Sequence, residues 1–209
     1  MVQTKPAKAV KLADLRNQFG LQRTEEETFF QEWLEELPTL NESEEQRLDA
    51  VRRQYLYLLE YPVMEGVVKM VVLSPLLELA GFYQPPFRVE GETGIQITAE
   101  DEGEMIQGNI DVLVLQNQIW IAVIEAKNSE LALTKAIPQA LSYMLANLSQ
   151  EKPSFGVVLN GSEFLFLKLA LTPEPRYALS DVFSLLNRRN NLHDVLRIFK
   201  KLGSVLLRA

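Results

Sequence analysis

The chain of 209 residues has no cysteine and a single histidine. The lack of cysteine excludes a disulfide framework, thiolate zinc sites and thiol catalysis, and it accords with a reducing interior. His193 stands beside Asp194 in a basic stretch, where a lone histidine reads as a surface or capping residue and not as a catalyst. No apolar run approaches a membrane span, and MVQTKPAKAVKLADLR lacks the apolar centre of a signal peptide. A cytoplasmic protein without a membrane partner is expected. No Walker-type GxxxxGK[ST] occurs, so no ATP site and no DNA-pumping activity of its own are expected.

Positive charge is also in deficit, with a net charge of −7. Its distribution is uneven. Residues 25–49 hold ten acids against Arg47 alone, a local balance of −9. From Arg176 onward seven bases face Asp181 and Asp194, a balance of +5. An acidic front and a basic tail leave a nucleic-acid partner open. The acidic front reads either as a solvated face or as a surface for a homodimer or another partner. The basic tail, with Arg188, Arg189, Arg197, Lys200 and Lys201, reads either as a phosphate-contacting surface or as the answer to that acidic face in a neighbouring subunit.

Two regions are expected: residues 1–62, an arm followed by an acidic helical extension, and residues 63–209, the main domain with basic C-terminal helices. Residues 1–23 show little periodicity. Thr24 to Glu27 matches a capping box, and Phe29, Phe30, Trp33, Leu34 and Leu37 follow at helical spacing up to Pro38. A second helix is expected over about 41–60, and a third, apolar nearly all round, over about 63–80 with Gly81 as its stop. Strands are expected at 87–90, 95–98, 109–115, 119–126, 155–159 and 164–169, the last two joined at Asn160-Gly161. A helix from 134–138 to about 148 places Pro138 in its first turn. Short helices are expected at 181–186 and 191–202. The order gives an α/β (α+β) fold around one mixed sheet.

What is present in excess of structural need is charge at the ends of apolar strands. Asp111 and Glu125 terminate two such runs, and Lys127 follows. An unpaired buried carboxylate costs several kcal/mol, so a bound cation is one explanation. If the hairpin turns about Asn117, Asp111 falls opposite Val123 and diagonal to Glu125, roughly 7–8 Å away, a span that a shared ion can bridge. Two carboxylates suit Mg²⁺ or Mn²⁺, and a lysine beside them suits phosphate chemistry. The bland reading makes Glu125 and Lys127 an ordinary ion pair.

Glu65 with Val68-Lys69 and Pro75-Leu76-Leu77, Glu90, Gly108-Asn109-Ile110-Asp111, Ile124-Glu125-Ala126-Lys127, Gln139 with Tyr143, and Leu159-Asn160-Gly161 occur in this order. Together they resemble the PD-(D/E)XK nuclease superfamily, and most of all the N-terminal nuclease domain of type I restriction enzyme R subunits and their stand-alone relatives. The resemblance spans about residues 63–170. It departs at Asn109, where the family usually has proline, and at Leu159, where it has threonine. It implies a restriction-endonuclease-like sheet flanked by helices. It also implies that Asp111, Glu125 and the Ala126 carbonyl bind metal, that Glu65 contributes from the first helix, and that Lys127 is catalytic. Gln139, Tyr143 and Lys69, with Arg188 and Arg189, would line the site or touch DNA. Glu65 otherwise serves as a helix N-terminal acid and Tyr143 as core; Glu78 is a rival helix acid. The expected activity is metal-dependent hydrolysis of DNA. The alternative is a catalytically silent domain of the same fold that binds nucleic acid or a protein.

Overall fold

A computed structural model describes residues 3–98, 104–115, 119–123, 132–146 and 152–208. The strands are β1 (Gln3–Pro6), β2 (Gln22–Arg23), β3 (Arg88–Thr98), β4 (Glu104–Leu115), β5 (Ile119–Val123), β6 (Ser154–Leu159), β7 (Glu163–Ala170) and β8 (Arg176–Ser184). The helices are α1 (Leu12–Phe19), α2 (Glu42–Leu58), α3 (Glu65–Val68), α4 (Ser74–Leu79), α5 (Ala132–Ala146) and α6 (Leu192–Arg208). All eight strands join one mixed sheet. Its centre is an antiparallel run β3-β4-β5 followed by β6, which lies parallel to β5. A parallel neighbour requires a crossover, and α5 supplies it. Beyond β6 the order continues through β7, β8 and β2.

β6 is buried along its whole length because both faces of the sheet are covered. Phe155, Val157 and Leu159 face a core shared with α2, α4 and α6, whereas Val158 faces a core built on α5 and α1. Gly156 lets α5 approach closely: a Cβ there would meet Met144 Sδ at 2.8 Å.

Several expectations hold. α2 starts at Asn41, whose side chain accepts from the Glu44 N–H while the Glu44 carboxylate accepts from the Asn41 N–H. Leu48, Val51 and Tyr55 form its buried side. The third helix runs from Glu65 to Leu79, but in three parts, α3, a π-helical stretch at Lys69–Leu73, and α4. Pro75 explains the middle part. Its ring would crowd the carbonyl four residues back, and the widened turn, in which the Ser74 N–H reaches the Lys69 carbonyl, relieves that conflict. Gly81, at φ 84°, ends the helix as expected.

Other expectations are corrected. Residues 3–23 are an integral layer: β1 pairs with β4, β2 pairs with β8, and Ala7, Val10, Leu15 and Leu21 are buried against α5. The boundary drawn at residue 62 does not separate two cores, since Leu48, Val51 and Tyr55 pack with Val68, Leu76 and Phe199. No helix forms over residues 24–37. Thr24 Oγ1 accepts from the Glu26 N–H, and isolated turns follow at Phe29 and Leu34. Phe30 is buried and Phe29, Trp33 and Leu37 are half-buried, so these aromatics reach the core one turn at a time. The strands expected at 87–90 and 95–98 are one strand, β3, paired along β4 from Arg88–Leu115 to Thr98–Met105. Pro138 lies inside α5, not in its first turn. Ala136, Ile137, Ala140, Leu141 and Met144 bury against the sheet, and that packing outweighs one lost backbone bond. The helix expected at 181–186 is the end of β8, and the last helix reaches Arg208.

Candidate functional site

The site expected from sequence is organised by the hairpin β4–β5. Asp111 lies in β4, directly before the residues that pair with β5. Val112 stands opposite Ile121 and Val114 opposite Ile119. That register is one residue removed from a turn centred on Asn117, which would set Val112 against Ala122. Glu125, Ala126 and Lys127 lie outside the described residues, as do the turn residues 116–118. Among the described residues no group of three or more His, Cys, Asp or Glu side chains could hold a metal ion.

The surroundings of the end of β5 are defined. Val123 pairs with Leu159, so the last described residue of β5 lies beside the Asn160-Gly161 turn. Gly161 sits at φ 96°, a left-handed value that a side chain rarely tolerates. Space is equally restrictive: a Cβ would come within 2.8 Å of Tyr55 Oη and 3.1 Å of Val68 Cγ2. The turn thus seats α3 beside the described end of β5, next in sequence to Ile124–Lys127. Asn160, buried, locks the turn. Its Oδ1 accepts from the Glu163 N–H at 3.0 Å and its Nδ2 donates to Glu163 Oε2 at 2.9 Å. Burial pushes the Tyr55 phenol above its ordinary pKa, an effect opposed by its hydrogen bond with Ser162 and reinforced by the Glu163 charge. Glu163 was missed in the sequence, and Tyr55 was read there only as part of the buried side of α2; the Asn-Gly pair was the local signal for the network.

Glu65 opens α3, and its carboxylate pairs with Lys69 Nζ at 2.5 Å, one turn on. Both side chains remain partly exposed. Glu78, the rival acid, lies in the last turn of α4 and is exposed. On α5, Gln139 Nε2 donates to Tyr143 Oη at 2.8 Å. Tyr143 is 1% exposed and belongs to the core beneath α5, so it is both core and the partner of Gln139. Glu90 pairs with Arg88 at 2.8 Å.

The basic tail is committed elsewhere. Arg189 Nη2 bonds Asp194 at 2.5 Å, and Arg197 donates to the carbonyls of Pro38 and Leu37. Lys200 bonds Glu44, and Lys201 bonds Glu36 at 3.0 Å. Arg188 is exposed. The acidic front is therefore answered within the same chain. His193 Nε2 stands 3.2 Å from Asp49 Oδ1. The Asn190 amide, and then His193, hold the Asp49 carboxyl below its usual range.

A mixed sheet of this order, with α5 crossing from β5 to β6, is a restriction-endonuclease-like fold. The family model for the type I restriction enzyme R protein N terminus matches residues 13–174, and the chain belongs to that family. None of the curated proteins compared with the chain matches it. The family match begins within α1, in keeping with the integration of the N-terminal residues into the sheet. No described helix is long and apolar enough to cross a membrane.

Proposed function

We propose that the chain is a metal-dependent DNA endonuclease whose site gathers at the end of β5. The observation that carries this reading is the seating of α3, through Val68 on the Gly161 turn, beside the end of β5, two residues before Glu125-Ala126-Lys127 in the sequence. Asp111, Glu125 and the Ala126 carbonyl, with Glu65 from α3, are hard oxygen donors of the type Mg²⁺ or Mn²⁺ takes. Such an ion, when bound, lowers the pKa of a water and offsets charge on the phosphate. Lys127 orients the water and stabilises the negative charge that grows on the phosphoryl oxygens. Lys69 pairs with Glu65 and confines its rotamers. Gln139, bonded to a buried Tyr143, presents a fixed amide on α5 to the substrate.

The second reading is a silent domain of the same fold that binds nucleic acid or a protein, and one observation favours its protein-binding form. Arg189, Arg197, Lys200 and Lys201 are tied to partners in this chain, so the basic tail offers little to a DNA backbone. A plasmid-nicking assay with Mg²⁺ or Mn²⁺ separates the two. Wild type is expected to nick, and Asp111→Ala and Lys127→Ala each to lower the rate by about 10²-fold or more, the scale of losing a main electrostatic group. Nicking that survives both substitutions would remove the assigned site. Absence of nicking, with no metal uptake in titration calorimetry, would establish the silent domain.

A further inference from the structure

A cavity of about 410 Å³ opens at the far end of the same sheet, where β6 begins and β7 ends. Lys152, Lys168 and Arg176 line it, together with Thr28, Phe29 and Glu26. Its size lies within the range of small-ligand sites. Phe29 forms the hub: Lys168 Nζ stands 5.4 Å and the Arg176 guanidinium 5.2 Å from the ring centre. Of the lining side chains, Arg176 keeps a buried donor, its Nε–H, without a hydrogen-bond partner, and Lys168 is held by Glu32 Oε1 at 2.5 Å.

The chain itself indicates what kind. The Glu26 carboxylate sits in the cavity wall, accepting from the Thr28 hydroxyl at 2.7 Å and from Arg176 Nη1 at 3.0 Å. Those two donors hold its carboxyl below the usual range. Thr28 and Arg176 thus already form an oxyanion cradle, filled by an internal anion whose side chain is half exposed. An external oxyanion that displaced Glu26 would find the Arg176 fork, with its Nε–H still unpartnered, and two lysines. A guanidinium fork with adjacent ammonium groups favours phosphate. The apolar wall of Phe29, Pro153, Ala170 and Leu171 gives a base or sugar somewhere to lie.

We propose that this cavity binds a phosphomonoester of nucleotide size, with Arg176, Lys152 and Thr28 as its phosphate donors and Glu26 as the internal competitor. The site is separate from the β5 end, and the inference stands without the nuclease reading. Titration calorimetry of the full chain tests it with three probes: deoxyadenosine 5′-monophosphate, inorganic phosphate, and a short oligonucleotide lacking terminal phosphates. The mononucleotide is expected to bind most tightly. Arg176→Gln should weaken it by about tenfold, as loss of a charge-assisted pair does. Glu26→Gln should tighten it several-fold by removing the competitor, an effect that a merely destabilised fold would not give. Asp111→Ala should leave it unchanged, whatever the outcome for nicking. Failure of every probe to bind, binding indifferent to Arg176→Gln, or weaker binding by Glu26→Gln would overturn the proposal. So would tighter binding of the unphosphorylated oligonucleotide, which would transfer the cradle to backbone phosphates.

Discussion

Two helices cover this sheet from opposite faces and use charge in opposite ways. α6 buries Leu192, Val195, Leu196, Ile198, Phe199 and Leu202, and spends its outward cations on the segment that precedes and opens α2. α5 carries a single charged side chain, Lys135, and pairs the half-buried Gln139 with the buried Tyr143. The contrast separates two meanings of charge. The acidic front and basic tail, which stand far apart in sequence, are the two sides of one internal seam. On α5 the polar contact is instead a neutral one, between an amide and a phenol.

The comparison can be broken at several points, beginning with the core under α6. Phe199 lies between Phe82 and Phe166, with ring centres 5.9 and 5.4 Å away. Phe199→Ala should cost about 3–5 kcal/mol in urea unfolding, the usual range for a fully buried ring. Gly161→Ala combines a left-handed backbone with a collision at Tyr55, and should cost about 2 kcal/mol. If α3 depends on that turn, the variant should also lose metal affinity in calorimetry while keeping its far-ultraviolet circular dichroism. On the α5 face, Tyr143→Phe removes one hydrogen bond and should cost about 1 kcal/mol; a much larger loss would mean that the pair holds the helix, not the substrate.

Acid supplies the gentlest test. The Thr28 hydroxyl and Arg176 lower the Glu26 carboxyl; at Glu44 burial works upward but is outweighed by Lys200 and the Asn41 N–H; Asn190 and His193 lower Asp49. Groups depressed in the folded state contribute stability that is complete above their ordinary values of 4.5 and 3.8 and disappears as the pH falls through the lower folded values. Trp33, packed edge-on against Phe183, should report the loosening of the acidic segment by fluorescence below about pH 4, before global unfolding.

Local signals were legible in the sequence and long-range ones were not. The stop at Gly81 and the Asn160-Gly161 turn act within a few residues, so the chain states them directly, whereas the capping box read at Thr24 to Glu27 opens no helix and the one that forms, at Asn41 and Glu44, was not read. Phe29, Phe30, Trp33 and Leu37 have helical spacing, yet the structure there is set by partners more than 130 residues away, as in Lys168 with Glu32. Propensity gives way to such contacts. β8 was hidden for a related reason: Tyr177, Ala178 and Ser180 are buried but Asp181 and Val182 are exposed, an irregular pattern because the strand lies toward the sheet margin, between β7 and the two residues of β2. Of the site, the strand holding Asp111 and the order of the elements were readable. The one-residue register of the β4–β5 hairpin was not, because three turn residues admit more than one pairing.

The π-helical stretch between α3 and α4 adds one further consequence. An inserted residue turns everything before it by about 100° relative to everything after it. The back half of the helix is fixed by Leu76 and Leu77 in the core, and so the insertion sets the bearing of Glu65. Excising a single residue between Lys69 and Leu73 would remove the widened turn and swing that carboxylate roughly a quarter to a third of a turn around the axis. Helix length here works as a dial: whether the acid faces the sheet end or the solvent is decided by counting residues, not by choosing them.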